Sequence, residues 1–117
     1  MSVPVELAEL AARIDEFGPQ AFLVTVNADA APHVVSVTVA WRDDQLVVGA
    51  GNRTSANVAD HPTVALLWPS GDGDYSLIVD GAATVDDGEL EIRPAAAVLH
   101  RVAGADPSLP GCVAVLP

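Results

Sequence analysis

Residues 47–69 read Val47-Val48-Gly49-Ala50-Gly51-Asn52-Arg53-Thr54-Ser55-Ala56-Asn57-Val58-Ala59-Asp60-His61-Pro62-Thr63-Val64-Ala65-Leu66-Leu67-Trp68-Pro69. The pattern predicts a strand, a glycine-rich turn bearing one arginine, a short helix and a further strand. Thr54 and Ser55 close the turn and are expected to cap the helix by accepting its free N–H groups. A helix start offers unpaired donors and the positive end of the backbone dipole, a setting for an anion. Arg53 stands beside it with a guanidinium shaped to clamp phosphate through two parallel bonds. Gly49 and Gly51 allow close approach of backbone to ligand. The same residues also describe an ordinary strand-to-helix turn with a solvated arginine. The stretch is neither a Walker loop nor a GxGxxG fingerprint, so neither mechanism transfers.

The rest of the chain narrows the class of function. Its 117 residues suit one domain, a helix over 1–18 followed by a barrel over 19–117, and half of them are hydrophobic, too many for disorder. No apolar run reaches the roughly 18 residues of a membrane span. The first residues lack the basic and apolar regions of a signal peptide, and Cys112 is the single cysteine, so a cytoplasmic setting is expected. Sixteen acidic residues stand against five arginines and no lysine, a net charge of −11. Such a surface repels nucleic acid and anionic lipid, and neither is an expected partner. Any anionic ligand needs a local positive site, for which Arg13, Arg42, Arg53, Arg93 and Arg101 are the candidates.

Taken in order, Leu7, Leu10, Ala11, Ile14 and Phe17 recur at helical spacing over residues 5–17, and Gly18-Pro19 ends the helix. Strands are expected at Ala21–Asn27, His33–Trp41 and Gln45–Ala50, joined by turns around Asp29 and Arg42-Asp43-Asp44, which suggests a meander. Thr63–Trp68 is apolar on both faces and reads as buried. Tyr75–Val85 reads as a longer strand with a bulge or barrel corner at Asp80-Gly81. Glu89–Arg93, then Ala96–Val102 beyond Pro94-Ala95, and a short Gly111–Leu116 complete the pattern. The expected fold is mainly β: a small antiparallel split barrel with an N-terminal helix and a short internal one. The interior of so small a barrel is filled, which sends any sizeable ligand to an edge or to a subunit interface.

The order of elements, with Pro32-His33-Val34-Val35-Ser36-Val37-Thr38-Val39, Gly51-Asn52-Arg53-Thr54-Ser55-Ala56-Asn57-Val58 and His61-Pro62-Thr63-Val64-Ala65-Leu66-Leu67-Trp68-Pro69, resembles the pyridoxamine 5′-phosphate oxidase-like FMN-binding split barrels. More narrowly it is similar to the short actinobacterial members that include F420-dependent oxidoreductases. The resemblance implies a homodimer with cofactor at the interface, FMN or alternatively F420, and a small-molecule substrate. It places phosphate at Arg53 and Thr54, with Ser55 and Asn57 supporting. It places the ribityl chain and ring against Ser36, Val37, Thr38, Val48, Gly49 and Ala50. Two departures accompany it: Thr54 stands where the oxidases carry a second basic residue, and the segment with which they hold pyridoxal phosphate is lacking, so that synthesis is not expected.

Other residues offer little chemistry. His33, His61 and His100 have no ligand-spaced partners, and no metal site is expected. His61 reads as the end of the short helix and His33 as the start of a strand. Cys112 has no base beside it, no serine sits in a nucleophile elbow, and the Asp43-Asp44 and Asp86-Asp87 pairs read as turn ends. Trp41 reads as core or interface packing, and Trp68 as a lining of a dimer-interface pocket. The expected function is therefore a flavin- or deazaflavin-dependent oxidoreductase whose cofactor does the hydride chemistry. The alternative is a non-catalytic dimer that binds flavin or haem or has lost its ligand.

Overall fold

The computed structural model describes residues 2–71 and 73–101. Gly111–Leu116 and Cys112 lie outside the described residues. The elements are β1 (Ser2–Pro4), a 3-10 turn (Leu7–Glu9), α1 (Leu10–Phe17), β2 (Gln20–Val26), β3 (Pro32–Thr38), β4 (Ala40–Arg42), β5 (Gln45–Gly49), α2 (Asn52–Asp60), β6 (Thr63–Trp68), β7 (Tyr75–Asp86) and β8 (Glu89–Arg101). The fold is mainly β, a curled antiparallel sheet forming a split barrel, with the expected two helices.

The strand order is β3-β2-β6-β7-β8-β5-β4, with β1 added on β8. The expected meander is thus corrected. β2–β3 and β4–β5 are hairpins, but β5 pairs with β8 rather than with β3. The single strand expected over His33–Trp41 is also two strands. At Val39 the N–H donates to the Pro19 carbonyl at 2.8 Å, and the next residue leaves β2 for β5. Since β3 and β4 lie at opposite ends of the sheet order, the sheet curls until its two edges meet at this residue.

The curl encloses Leu23, Leu46, Leu66, Leu77, Leu90 and Ile92, with Leu10 and Ile14 of α1 packed on them. The helix expected from residue 5 starts as a 3-10 turn and becomes α-helical at Leu10; Leu7 is 49% exposed. Gly18 ends α1 at φ 90°, a conformation that a side chain would strain. Trp68 does not line an interface pocket. It is fully buried, and its Nε1–H donates to the Gly18 carbonyl at 2.9 Å, tying β6 to the end of α1. Ser2–Pro4, three exposed residues ending in a proline and too short to show a strand pattern, pairs with Val98–His100 of β8.

The bulge at Asp80-Gly81 is present. The register of β7 on β8 shifts there, Asp80 facing Ala96 and Gly81 facing Pro94, so Ala95 is the extra residue. This bulge lets β8 run unbroken through Pro94, where two strands had been expected. The acidic turns also form, with Asp43 and Asp44 at φ 52° and 65°, and Asp87 at φ 48° before Gly88.

The outer face of the sheet is apolar as well. Phe22, Leu67, Ile78 and Val98 stand directly opposite one another across β2, β6, β7 and β8, and Ser36 of β3 extends the row next to Phe22.

Gly81 is the position with least room: a Cβ there would lie 2.6 Å from the Arg93 carbonyl oxygen. Gly81→Ala is expected to destabilise the protein by about 1–3 kcal/mol, read as a lowered midpoint in urea. An unchanged midpoint would show that β7 and β8 part there freely.

Candidate functional site

The two edges that meet at Val39 separate again in the other direction. β3 follows β2 while β5 continues to Gly49 and hands the chain to α2. Between them lies a cleft of about 490 Å³ lined by His33, Val35, Ser36, Val37, Gly49, Gly51, Asn52, Arg53 and Thr54. One wall is the edge of β3 that pairs with no strand among the described residues; its other edge pairs with β2. The opposite wall is the start of α2.

Sequence placed the caps of α2 at Thr54 and Ser55; the structure corrects this. The helix opens at least three residues earlier, with Gly51 as its N-cap and no side-chain capping bond. The first helical bond runs from the Ser55 N–H to the Gly51 carbonyl at 3.0 Å. Gly51 can supply no capping oxygen, so the N–H groups of Gly51, Asn52, Arg53 and Thr54 stay available where the cleft begins. The exposed Arg53 adds a cation with no ion-pair partner among the described residues. None of the sixteen carboxylates falls in 30–42 or 45–59, the two segments that build the cleft.

The other candidates divide. Ser36, Val37, Gly49, Arg53 and Thr54 come together on the cleft. Thr38 is exposed, and its hydroxyl accepts from Gln20 Nε2 at 3.0 Å. Val48 is buried in the core at 1% exposure, and Ala50 packs against that core. Ser55 is half-buried outside the lining. Asn57, 5% exposed, points inward, and its Nδ2 donates to Thr25 Oγ1 at 3.1 Å. His61 ends α2 as expected, its N–H on the Asn57 carbonyl at 2.8 Å. His33 lines the cleft although it was read as a mere strand start. The period-2 pattern that set Val35 and Val37 on one face sets His33 on the same face.

Arg42 is engaged elsewhere, 2.8 Å from Glu89 and 3.4 Å from Glu91. The Glu89 hydrogen bond, reinforced by its charge and that of Glu91, holds the guanidinium above its ordinary pKa. A second cavity of about 560 Å³ lies between α1, β4 and β8, with Leu7, Trp41, Asp44 and Arg93 in its lining. It is slightly larger than the cleft, but where α1 starts on it the Glu9 and Leu10 N–H groups are already bonded to the Glu6 and Leu7 carbonyls, and Asp44 stands in the lining with Arg93, so the anion argument does not apply to it. Trp41, expected in a packed setting, is 36% exposed on that cavity. Among the described residues no metal-binding cluster occurs, and no helix is long and apolar enough to cross a membrane.

No model of a known protein family matches the chain. An uncharacterized protein of Mycobacterium bovis is 36% identical over 120 residues, covering 87% of this chain and 84% of the relative. One from Mycobacterium tuberculosis matches to the same extent. The chain belongs to one family with these mycobacterial proteins. Among solved structures, a putative pyridoxamine 5′-phosphate oxidase from Listeria innocua superposes with a TM-score of 0.66 at 17% identity, over 80% of this chain and 98% of that one. An F420 reductase gives 0.56 at 18% identity, over 68% and 90%. The haem storage protein HutZ of Vibrio cholerae gives 0.61 at 15%, over 79% and 94%. The fold is the pyridoxamine 5′-phosphate oxidase-like split barrel. Its cleft is where β3 parts from β5.

Within this split barrel, Asn57→Ala is expected to lower stability by about 1–3 kcal/mol, because the buried Thr25 hydroxyl loses its amide partner. Asn52→Ala, at the exposed start of the same helix, is expected to stay within about 0.5 kcal/mol. Denaturant unfolding of the two variants makes the comparison, and equal losses would contradict it.

Proposed function

We propose that the protein is an oxidoreductase that holds FMN in the split between β3 and α2 and acts on a small molecule. One observation carries the reading: four uncapped backbone donors and an arginine without an ion pair among the described residues face the edge of β3 across a single cleft. The donor set fits a phosphate monoester at one end, and the apolar and backbone-lined remainder fits a flat ring system. Arg53 and the N–H groups of Gly51 to Thr54 hold the phosphate; Ser36, Val37 and Gly49 border the ribityl chain and ring. The flavin supplies hydride transfer. The protein's residues bind, orient and exclude water, a division of labour that needs no nucleophile or general base. A reducing cytoplasm, supported by the single cysteine, completes the setting.

The reading includes a homodimer. The row of Phe22, Leu67, Ile78 and Val98 is more apolar than a solvated sheet face, and it adjoins the cleft through Ser36. A second copy on this face would roof the cleft. F420 is the alternative cofactor, supported by the likeness to an F420 reductase. FMN is favoured because the acidic tail of F420 needs a further cation, and Arg42 is already shared by Glu89 and Glu91. A non-catalytic barrel remains the reading if neither cofactor binds.

Fluorescence titration with FMN and, separately, with F420 tests the proposal, with micromolar binding of FMN expected. Arg53→Ala should weaken that binding roughly 10–100-fold, the value of charge-assisted bonds of about 1.5–3 kcal/mol. Full affinity in this variant would move the phosphate elsewhere. For the dimer, light scattering should show two copies in the wild type and one in Leu67→Arg; a monomeric wild type would contradict the interface.

A further inference from the structure

One side chain in the cleft has no role in the reading above. His33 lies on the cleft wall, half-buried, directly across the β2–β3 pair from Thr25. Its Nδ1 is 3.5 Å from Thr25 Oγ1, a long hydrogen bond. Thr25 is 1% exposed, and the same Oγ1 receives Asn57 Nδ2 at 3.1 Å. Asn57 sits four residues after Arg53 on α2, one helical turn beyond the residues that face the anion.

The protons in this chain have a direction. An amide nitrogen only donates, so Thr25 Oγ1 accepts from Asn57. The hydroxyl hydrogen then needs an acceptor, and a buried hydroxyl without one is costly. Among the described residues the partner in reach is His33 Nδ1. An imidazole that accepts at Nδ1 is neutral and carries its proton on Nε2. The opposite arrangement, Asn57 Oδ1 turned to the hydroxyl and Nδ1–H donating to Thr25, would leave Nε2 as an acceptor. The two therefore predict opposite polarity for the nitrogen left to the cleft.

We propose that Asn57 and Thr25 hold His33 as the neutral Nε2–H tautomer, and that this N–H orients the bound cofactor by donating to an acceptor atom of its ring system. The ligand half of this inference rests on the cofactor reading above; the tautomer half does not. His33 is then a ligand-binding residue, while Thr25 and Asn57 are positioning residues that act through it. α2 serves the cleft twice: its first turn grips the anion by backbone, and its second turn sets the donor at the ring through two side chains. A ring with carbonyl oxygens or unprotonated nitrogens suits such a donor.

Two measurements test it. Nitrogen-15 NMR of histidine-labelled protein at pH 8, with His33→Phe to assign the signal, should show His33 as Nε2–H in the wild type. Thr25→Val should release it to a mixture of tautomers, and Thr25→Ser should restore it. An Nδ1–H signal in the wild type overturns the proposal even if Thr25→Val does not fold. In FMN titration, His33→Phe and Thr25→Val should each weaken binding about 3–10-fold, with Thr25→Ser at wild-type affinity. Binding lost in Arg53→Ala but unchanged in His33→Phe would overturn the orienting role and leave the cofactor reading standing. Wild-type protein that binds neither FMN nor F420 would overturn the cofactor reading and the orienting role with it, and the tautomer would still decide the relay.

Discussion

One residue decides the shape of this protein. Val39 is all that separates β3 from β4, yet these strands occupy the two ends of the sheet order. The two peptide units from Thr38 to Ala40 span at most about 7 Å, under two strand spacings, so the sheet must roll until its ends come together. The bulge at Ala95, opposite the sterically required Gly81, lets the long β7–β8 ribbon bend. Trp68 fixes α1 beside the rolled sheet by its hydrogen bond to Gly18. Closure at Val39 and opening beyond it are the same event. β3 can stay with β2 only by leaving β5, and the gap so formed is the cleft.

This placement leaves a chain of net charge −11 with one cleft where an anion would meet donors rather than carboxylates. Charges spread over the surface are screened beyond about 8 Å at physiological ionic strength, whereas backbone donors and a guanidinium act at hydrogen-bond distance. What matters is the local inventory, and both cleft-building segments are free of carboxylates. Acidic residues stand instead on the other helix, on β7 and β8 and at the turns, where Asp43, Asp44 and Asp87 adopt left-handed conformations that aspartate tolerates. Turn chemistry and charge segregation thus favour the same distribution.

Local signals in the sequence were legible wherever the physics is local. The Gly18-Pro19 stop, the hairpin turns, the Asp80-Gly81 irregularity and the end of α2 at His61 all depend on backbone preferences of a few residues, and all appear in the structure. Pairing between distant strands was not legible. Nothing in Ser2–Pro4 announces a strand, because its partner, Val98–His100, supplies the reason for it. The break at Val39 likewise comes from competition between β2 and β5 for one continuous apolar run. The fate of Trp68 turned on a carbonyl fifty residues away in sequence. At the site, sequence singled out the turn and helix that line the cleft but misplaced the helix start, since Thr54 and Ser55 carry capping side chains and Gly51 does not. The actual start leaves more donors free than a capped one.

The arginines divide in the same way. Among the described residues Arg13 pairs with Glu16, and Arg42 with Glu89 and Glu91, at exposed positions where solvent screens such pairs and they contribute little. Arg93 and Arg101, like Arg53, have no ion pair among the described residues, but Arg53 is the one at the start of α2. The nearest acidic residue after it in sequence, Asp60, stands at the opposite end of α2, two turns away. An internal ion pair at Arg53 would satisfy the guanidinium and close the cleft to phosphate. Among the described residues no ion pair neutralises that cation, which forgoes little stability and keeps a point of positive potential beside the uncapped N–H groups where the barrel splits.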